Sequence, residues 1–332
     1  MKAVTISHPG PPDVLTLQEV AEPSVGPRDV LIDVDATALN RADLLQRRGN
    51  YPPPADAPPY PGLECAGVIL SVGDEVTGWQ PGDRVMALLG GGGYAERVAI
   101  PANQLMPVPR TLTLREAAAI PEAWLTAYSN MVEIGRLSAG EKVLIHAGAS
   151  GVGSAAIQIA KQRKAFVATT VSAAKIEAVR NGGADLIIDY GAENFADRIG
   201  AEIGGVDLIV DFIGAPYWQD NLRALKLWGR LVLVGLMGGR QVDFDLGMML
   251  RKKLSLHGST LRDRTNAQKA SLIERFVVDL LPGFDDGTLH PVLDDSLFTL
   301  ETIVDAHRHM EANRNIGKIV VTIRHDTAPR PL

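Results

Sequence analysis

The stretch HAGASGVG, His146 to Gly153, follows an apolar run, KVLI, and precedes a helix-like run, SAAIQIAKQRK. Its glycines, Gly148, Gly151 and Gly153, are the signal to read first. A strand feeding a glycine-rich turn that opens a helix makes an anion site: the turn's N–H groups and the positive helix end face one point. Glycine lets a pyrophosphate approach the backbone and lets the helix pack close to the sheet. The spacing here is G-x-x-G-x-G rather than the commoner G-x-G-x-x-G, so the pattern alone is weak. Its position gives it weight.

The turn stands first in a series of apolar runs, KVLIHA, AFVATTV, ADLIIDY, VDLIVDFIG, RLVLVGLMG and LSLHGS, with helical segments between them. Six such runs joined by crossover helices predict an α/β fold with a Rossmann doubly wound parallel sheet, and the first turn then binds a dinucleotide. Before the series the texture is different. Short apolar runs (VLIDVDATAL, CAGVILSVG, RVMAL, ERVAI) alternate with Pro and Gly, as in an irregular β domain. GNYPPPADAPPYPG is a stiff loop, because its prolines fix φ and remove donors. After the series the first texture returns: HPVLDDSLF, a helix around LETIVDAHRHMEAN, and the strand GKIVVTI. The expected organisation is therefore a β domain of residues 1–120 and 286–332, interrupted by a dinucleotide-binding domain of residues 121–285.

At 332 residues, two domains are the default. The net charge of −6 gives no electrostatic footprint for nucleic acid and no basic face for anionic membranes. The N-terminus lacks the apolar stretch of a signal peptide, and the uncharged run Val143–Ala160 carries too many polar residues and glycines for a membrane span. A cytoplasmic protein is expected. The single cysteine, Cys65, excludes an intramolecular disulfide and a multi-cysteine metal site, and reads as a buried small hydrophobe.

An acid is missing where such a turn usually has one. The second strand ends in Val171 and Ser172, about 20 residues past Gly151, where NAD-binding domains place Asp or Glu for the ribose diol. VSAAK offers instead the Ser172 hydroxyl and, one helical turn on, Lys175. Both suit a phosphate dianion that a carboxylate would repel, so NADP(H) is the expected cofactor; the plainer reading of Lys175 is a solvated surface lysine.

The stretches ALNRADLLQRRGNYPPP, AAAIPEAWLTAY, LIHAGASGVGSAAIQIAK, LVGLMGG and HMEANRNIGKIV, spread over essentially the whole chain, carry a family resemblance. The chain resembles the zinc-independent medium-chain dehydrogenase/reductase family of quinone oxidoreductases, and looks closest to its tumour-suppressor-inducible branch. The resemblance implies a GroES-like β domain plus a Rossmann domain, with the active site in the cleft between them. It implies that Ser150, Gly151, Val152 and Gly153 hold the pyrophosphate, and that Ser172, Lys175 and Tyr190 hold the adenosine 2′-phosphate end. Thr126 and the backbone around Gly235, Leu236 and Met237 would lie along the nicotinamide half, and Asn315 would reach back to the cofactor. Asn40 and Tyr51 would line the substrate side, although Tyr51 also reads as a loop tyrosine packed on its own prolines. Related enzymes form homodimers by pairing the last Rossmann strand, here LSLHGST, across a two-fold axis.

The zinc-dependent relatives place Cys where this chain has Asn40, His where it has Leu63, and a third Cys near Glu122. With none of these present, no zinc is expected. Alcohol/ketone exchange passes through an alkoxide whose conjugate acid has a pKa near that of water, about 15.7, and zinc tames that charge. A hydroquinone monoanion or an enolate is already delocalised, its conjugate acid lying nearer the ~10 of a phenol. Missing zinc therefore points to quinones or α,β-unsaturated carbonyls rather than plain alcohols, and the leading expectation is NADPH-dependent reduction of quinones. Reduction of enones or enoyl thioesters is the nearest alternative, and a non-catalytic, crystallin-like NADPH-binding protein is another. Arg47 and Arg48, candidates for a coenzyme A phosphate, read more simply as a solvated helix face. His146 reads as a packed, hydrogen-bonded histidine, and His307 and His309 as residues of a polar helix without a third metal ligand.

Overall fold

The computed structural model describes residues 1–55 and 57–323. Its contacts divide the chain into two compact units, Met1–Leu125 together with the chain from Arg262 onward, and Thr126–Leu261.

The first unit opens with β1 (Lys2–Ile6), β2 (Leu15–Glu19), β3 (Asp29–Ala38), β4 (Glu64–Val72), β5 (Arg84–Leu88), β6 (Arg97–Pro101) and β7 (Leu105–Pro107). The second unit carries β8 (Lys142–Ile145), β9 (Phe166–Val171), β10 (Leu186–Asp189), β11 (Val206–Asp211), β12 (Leu225–Leu233) and β13 (Ser255–Gly258), and the first resumes with β14 (Phe298–Thr299) and β15 (Val320–Thr322).

In the first unit the order is β14-β15-β3-β4-β5-β7, with β6 also on β3 and a separate β1–β2 ribbon. Two register shifts between β3 and β4 bend the sheet, as bulges do. Val30, Ile32 and Val34 alternate along β3 into a core shared with Cys65, Ile69, Val85 and Leu105, so Cys65 is fully buried as expected. Because β15 pairs antiparallel with β3, the C-terminal segment completes the sheet that the N-terminal segment begins.

In the second unit the six strands are parallel, in the order β10-β9-β8-β11-β12-β13. This is the doubly wound order, with a topological switch point between β8 and β11, where ligands bind outside the carboxyl ends of the strands. The strands are apolar because helices cover them: Leu144, Ala168, Ile188, Ile209 and Leu231 share a core with Phe195, Ile199 and Leu222. No helix among the described residues is long and apolar enough to cross a membrane.

Two boundaries differ from expectation. β12 starts at Leu225, not near Arg230; a register shift between Val206 and Leu208 and a left-handed Trp228 (φ 65°) hide the strand from a periodicity reading, and GLMG past Leu233 is loop. The helix Asn266–Asp285, expected in the dinucleotide-binding domain, groups with the first unit. Its buried face, including Leu272, Ile273, Phe276 and Phe284, supplies the reason. Phe284 meets the Trp124 ring edge-on (4.6 Å between centroids), and its carbonyl accepts from Thr111 Oγ1 (2.8 Å).

Candidate functional site

In the second unit the glycine turn leaves β8 and enters the helix Gly151–Gln162. A Cβ on Gly148 would stand 2.1 Å from Thr169 Oγ1, itself donating to the Ile145 carbonyl (2.7 Å). A Cβ on Gly153 would stand 2.3 Å from the Ala147 carbonyl oxygen. Side chains at either position would push helix from sheet. Ser150 caps the helix, its Oγ accepting from Gly153 N (3.0 Å), while the N–H groups of Gly151 and Val152 precede any intrahelical acceptor. The first turn carries no acidic residue. These features fit a dinucleotide pyrophosphate.

β9 ends at Val171, and pairing with β10 sets Asp189 against it; Tyr190 N then bonds the Val171 carbonyl (3.2 Å). Lys175 N bonds the Ser172 carbonyl (2.9 Å) in a single 3-10 turn. The sheet thus gathers Ser172, Lys175 and Tyr190 about adjacent strand ends. Asp189, the carboxylate in register with Val171, is turned onto Gly191 N (3.0 Å).

Gly235, Leu236 and Met237 follow β12 in a loop held to the one after β11: Gly235 N bonds the Asp211 carbonyl (3.3 Å) and Met237 N the Phe212 carbonyl (3.1 Å). Leu236 and Met237 are exposed. Beneath lies a network that sequence reading missed. Buried Asp211 accepts from Ile213 N (2.7 Å) and Asn221 Nδ2 (3.0 Å), and Asn221 Oδ1 meets His146 Nε2 (2.7 Å). Burial holds the His146 pKa down, so the imidazole is a neutral packing group, as expected for this residue. Thr126 is buried in the helix Pro121–Tyr128, its carbonyl accepting from Asn130 Nδ2 (2.8 Å).

In the first unit, β3 ends, β4 starts and the run into β15 meet around Asn40. Lys318 Nζ donates to Leu39 O (2.8 Å), Asn40 Oδ1 (2.7 Å) and Glu64 Oε1 (2.5 Å). Asn40 Nδ2 donates to Glu64 Oε1 (2.8 Å) and Ala38 O (3.3 Å), and Glu122 N donates to Glu64 Oε2 (2.8 Å). Asn40, Glu64 and Lys318 are all buried. The Asn40 amide, expected to face a substrate, is therefore committed within the protein. Asp43 accepts from Asn40 N (2.7 Å) and Gly62 N (3.2 Å), and burial raises its pKa to about 6 against those donors. Burial, and then Glu64, push the Glu122 carboxyl up to about 8. Asn315 Nδ2 donates to Gly317 O (2.9 Å) in the loop before Lys318.

Tyr51 packs on Arg262: the guanidinium carbon lies 5.0 Å from the ring centroid. Arg262 is pinned by Gly90 O (2.7 and 3.0 Å), Gln46 Oε1 (2.7 Å) and Tyr51 O (3.3 Å). Burial, with Asp263 and Glu122, pushes the Tyr51 hydroxyl up to about 12. A groove of about 1020 Å³ is walled by Pro52, Pro53, Pro54, Tyr60, Arg262 and Lys269, and neither Asn40 nor Tyr51 lines it.

Two readings of the helix faces require correction. Arg47 is fully buried, not solvated: Nε donates to Gly10 O (3.0 Å), Nη1 meets His307 Nδ1 (3.1 Å), and Nη2 pairs with Glu311. It cannot serve a coenzyme phosphate. His307 is likewise buried rather than on a polar face, its Nε2 3.3 Å from Tyr94 Oη, and burial beside Arg47 holds its pKa down to about 3.

A dinucleotide-type sheet and an irregular β unit with a buried polar cluster define a two-domain oxidoreductase class. Residues 26–110 match the alcohol dehydrogenase GroES-like domain family and residues 151–276 the zinc-binding dehydrogenase family. The chain is 33% identical over 319 residues to the synaptic vesicle membrane protein VAT-1 homolog of Rattus norvegicus (90% of this chain, 78% of that one). It is 30% identical over 314 residues to quinone oxidoreductase-like protein 2 of Mus musculus (93% and 89%). The chain belongs to the medium-chain dehydrogenase/reductase family. Among solved structures, a quinone oxidoreductase of Pseudomonas syringae pv. Tomato superposes with a TM-score of 0.87 (29% identity, 97% of this chain and 99% of that one). A mycobacterial protein complexed with NADPH gives 0.88 (28%, 97% and 100%), and the CurK enoyl reductase 0.86 (28%, 97% and 99%).

The zinc implied by one family description does not fit these residues. Asn40 stands committed to Glu64 and Lys318, Leu63 offers no donor atom, and Cys65 lies in the sheet core. Among the described residues no group of three or more His, Cys, Asp or Glu could hold a metal ion.

Proposed function

We propose that this oxidoreductase is an NADPH-dependent quinone reductase working without zinc. The observation that carries the reading is the Asn40–Glu64–Lys318 cluster: where a Lewis acid would stabilise an alkoxide, the chain places a self-satisfied ion pair. A substrate whose reduced anion is delocalised needs no such acid, which favours quinones over plain alcohols. When bound, the cofactor supplies hydride. The protein's own residues do the rest: Ser150, Gly151, Val152 and Gly153 receive the pyrophosphate at the helix start, and Ser172, Lys175 and Tyr190 receive a 2′-phosphate. Tyr51, its ring 5.0 Å from the Arg262 guanidinium carbon, offers a surface for a planar acceptor to stack on.

Reduction of enones or enoyl thioesters is the second reading, favoured by the likeness to an enoyl reductase. NADPH oxidation measured across 1,2-naphthoquinone, simple enones and enoyl thioesters separates the two. Higher kcat/KM for the quinone supports the first, and turnover confined to thioesters overturns it. No turnover with any acceptor would leave a nucleotide-binding protein without reductase activity.

A further inference from the structure

His146 is fully buried, and the residue after it, Ala147, is left-handed (φ 52°) although it is not a glycine. A side chain disfavours that conformation, so the surroundings must hold it there. The hold comes from both flanks. His146 N donates to Val210 O (3.1 Å) on β11, and Gly148 N donates to Thr170 O (3.2 Å) on β9. The imidazole adds two more ties. Its Nδ1 lies 2.9 Å from Thr170 Oγ1, and its Nε2 lies 2.7 Å from Asn221 Oδ1, on the helix Trp218–Ala224. The rings of Phe195 and Tyr217 pack on it, 4.9 and 4.7 Å away between centroids. All of these residues belong to the second unit.

The donors run in one direction. Asp211 accepts from Ile213 N (2.7 Å), Gly214 N (3.2 Å) and Asn221 Nδ2 (3.0 Å), so Asn221 presents its carbonyl oxygen to His146. His146 must then donate from Nε2. A neutral imidazole has one N–H, so Nδ1 accepts and the Thr170 hydroxyl donates. Both ring nitrogens are thereby used, in one tautomer. The Asp211 carbonyl in turn accepts from Val234 N (2.7 Å) and Gly235 N (3.3 Å), which joins the loop after β12 to the same network.

We propose that His146 is the positioning residue of the glycine turn, holding Ala147 left-handed so that the pyrophosphate site is formed before a dinucleotide arrives. The inference rests on the NADPH reading above. The path from the imidazole to the site is short. Ala147 O accepts from Ser150 N (2.9 Å), and Ser150 Oγ caps the helix through Gly153 N (3.0 Å). A shift at Ala147 therefore moves the helix start, where the N–H groups of Gly151 and Val152 face the ligand.

His146→Phe keeps a ring and deletes both side-chain bonds. It should weaken NADPH by about one charge-assisted hydrogen bond, on the order of tenfold in Kd by calorimetry. Adenosine 2′-monophosphate has no pyrophosphate and should bind the variant within about twofold of wild type, which a general loosening of the fold would not allow. His146→Gln offers an amide oxygen to Thr170 and an amide nitrogen to Asn221, and should recover most of the NADPH affinity. Nitrogen-15 spectra of the wild-type chain at pH 7, with the His146 signals assigned by their loss in His146→Gln, should show Nε2 protonated and Nδ1 bare. That measurement stands whether or not the Phe variant folds. An Nδ1–H tautomer, undiminished NADPH affinity in the Phe variant, equal losses for the two ligands, or no recovery with Gln would each overturn the proposal. Wild type that binds NADH but not NADPH removes the 2′-phosphate reading alone, and NADH against adenosine then tests the turn in the same variants. Wild type that binds neither dinucleotide sinks the cofactor reading and the role of His146 together.

Discussion

Lys318 Nζ lies 2.5 Å from Glu64 Oε1, joining side chains 254 residues apart in sequence and both sealed from solvent. The pair ties the start of β4 to the run into β15, while Asn40 bridges both partners at the end of β3. Breaking a buried pair strands a charge. Lys318→Met should therefore destabilise the first unit by about 3–5 kcal/mol. Glu64→Gln in the same chain removes the stranded carboxylate and should bring stability back to within about 2 kcal/mol of wild type. Urea unfolding of the single and double variants measures this; strictly additive losses would mean that the two side chains are not coupled.

Cofactor preference is set, on the proposed reading, by Ser172 and Lys175 at the end of β9. A charge-assisted hydrogen bond is worth roughly 1.5–3 kcal/mol, so Lys175→Ala should weaken NADPH on the order of tenfold or more. NADH, lacking the 2′-phosphate, should bind the variant and the wild type alike. Calorimetric titration checks both, and equal wild-type affinity for the two cofactors would end the idea.

Exhaustive chelation should leave turnover unchanged, and metal analysis should find no stoichiometric zinc. The ground is ligand chemistry: Asn40, Leu63 and core-buried Cys65 do not make the three-ligand site that catalytic zinc requires. Activity lost with EDTA and restored by zinc would contradict this.

Among the described residues β13 is the edge of the six-stranded sheet, bonded on one side only, by β12. An unpaired edge is a liability, and the same unit exposes Trp228 (64%) and Leu250 (77%). We expect a homodimer that joins two such edges about a two-fold axis. Sedimentation should give twice 35.5 kDa at micromolar concentration, with monomer alone refuting the assignment.

The second unit was legible because its signals are local. Each apolar run contains a strand, only the start of β12 being hidden by Trp228, and Gly148 and Gly153 stand where a Cβ cannot. The cluster in the first unit was not legible. Glu64 and Lys318 reach Asn40 from 24 and 278 residues away through strand order, which leaves no trace in spacing. Arg262 reaches Gln46 and Gly90 in the same way. For His307 a signal existed: Ile303, Ala306, His307 and Met310 fall on one helix face, and all four are buried. Reading the helix by composition rather than periodicity put His307 on the wrong side.

The hydroxyl of Tyr51 and its ring call for separate tests, because the proposed reading gives them different tasks. The ring lies against Arg262, on a loop stiffened by Pro52, Pro53 and Pro54, and on the proposed reading it orients a planar acceptor. The hydroxyl, pushed up to about 12, is too weak an acid to release its proton readily at pH 7. Tyr51→Phe keeps the ring and should cost only a few-fold in kcat/KM with a quinone, short of the 10²–10⁴-fold of general acid catalysis. Tyr51→Ala removes the stacking surface and exposes Arg262, so its loss should be clearly larger. Asn40→Ala should impair turnover as well, through the Glu64–Lys318 pair it bridges, and should lower Tm where the Tyr51 variants do not. NADPH affinity should stay near wild type in both Tyr51 variants. Equal losses in Phe and Ala would make the hydroxyl the proton donor; no loss in either would remove Tyr51 from the site.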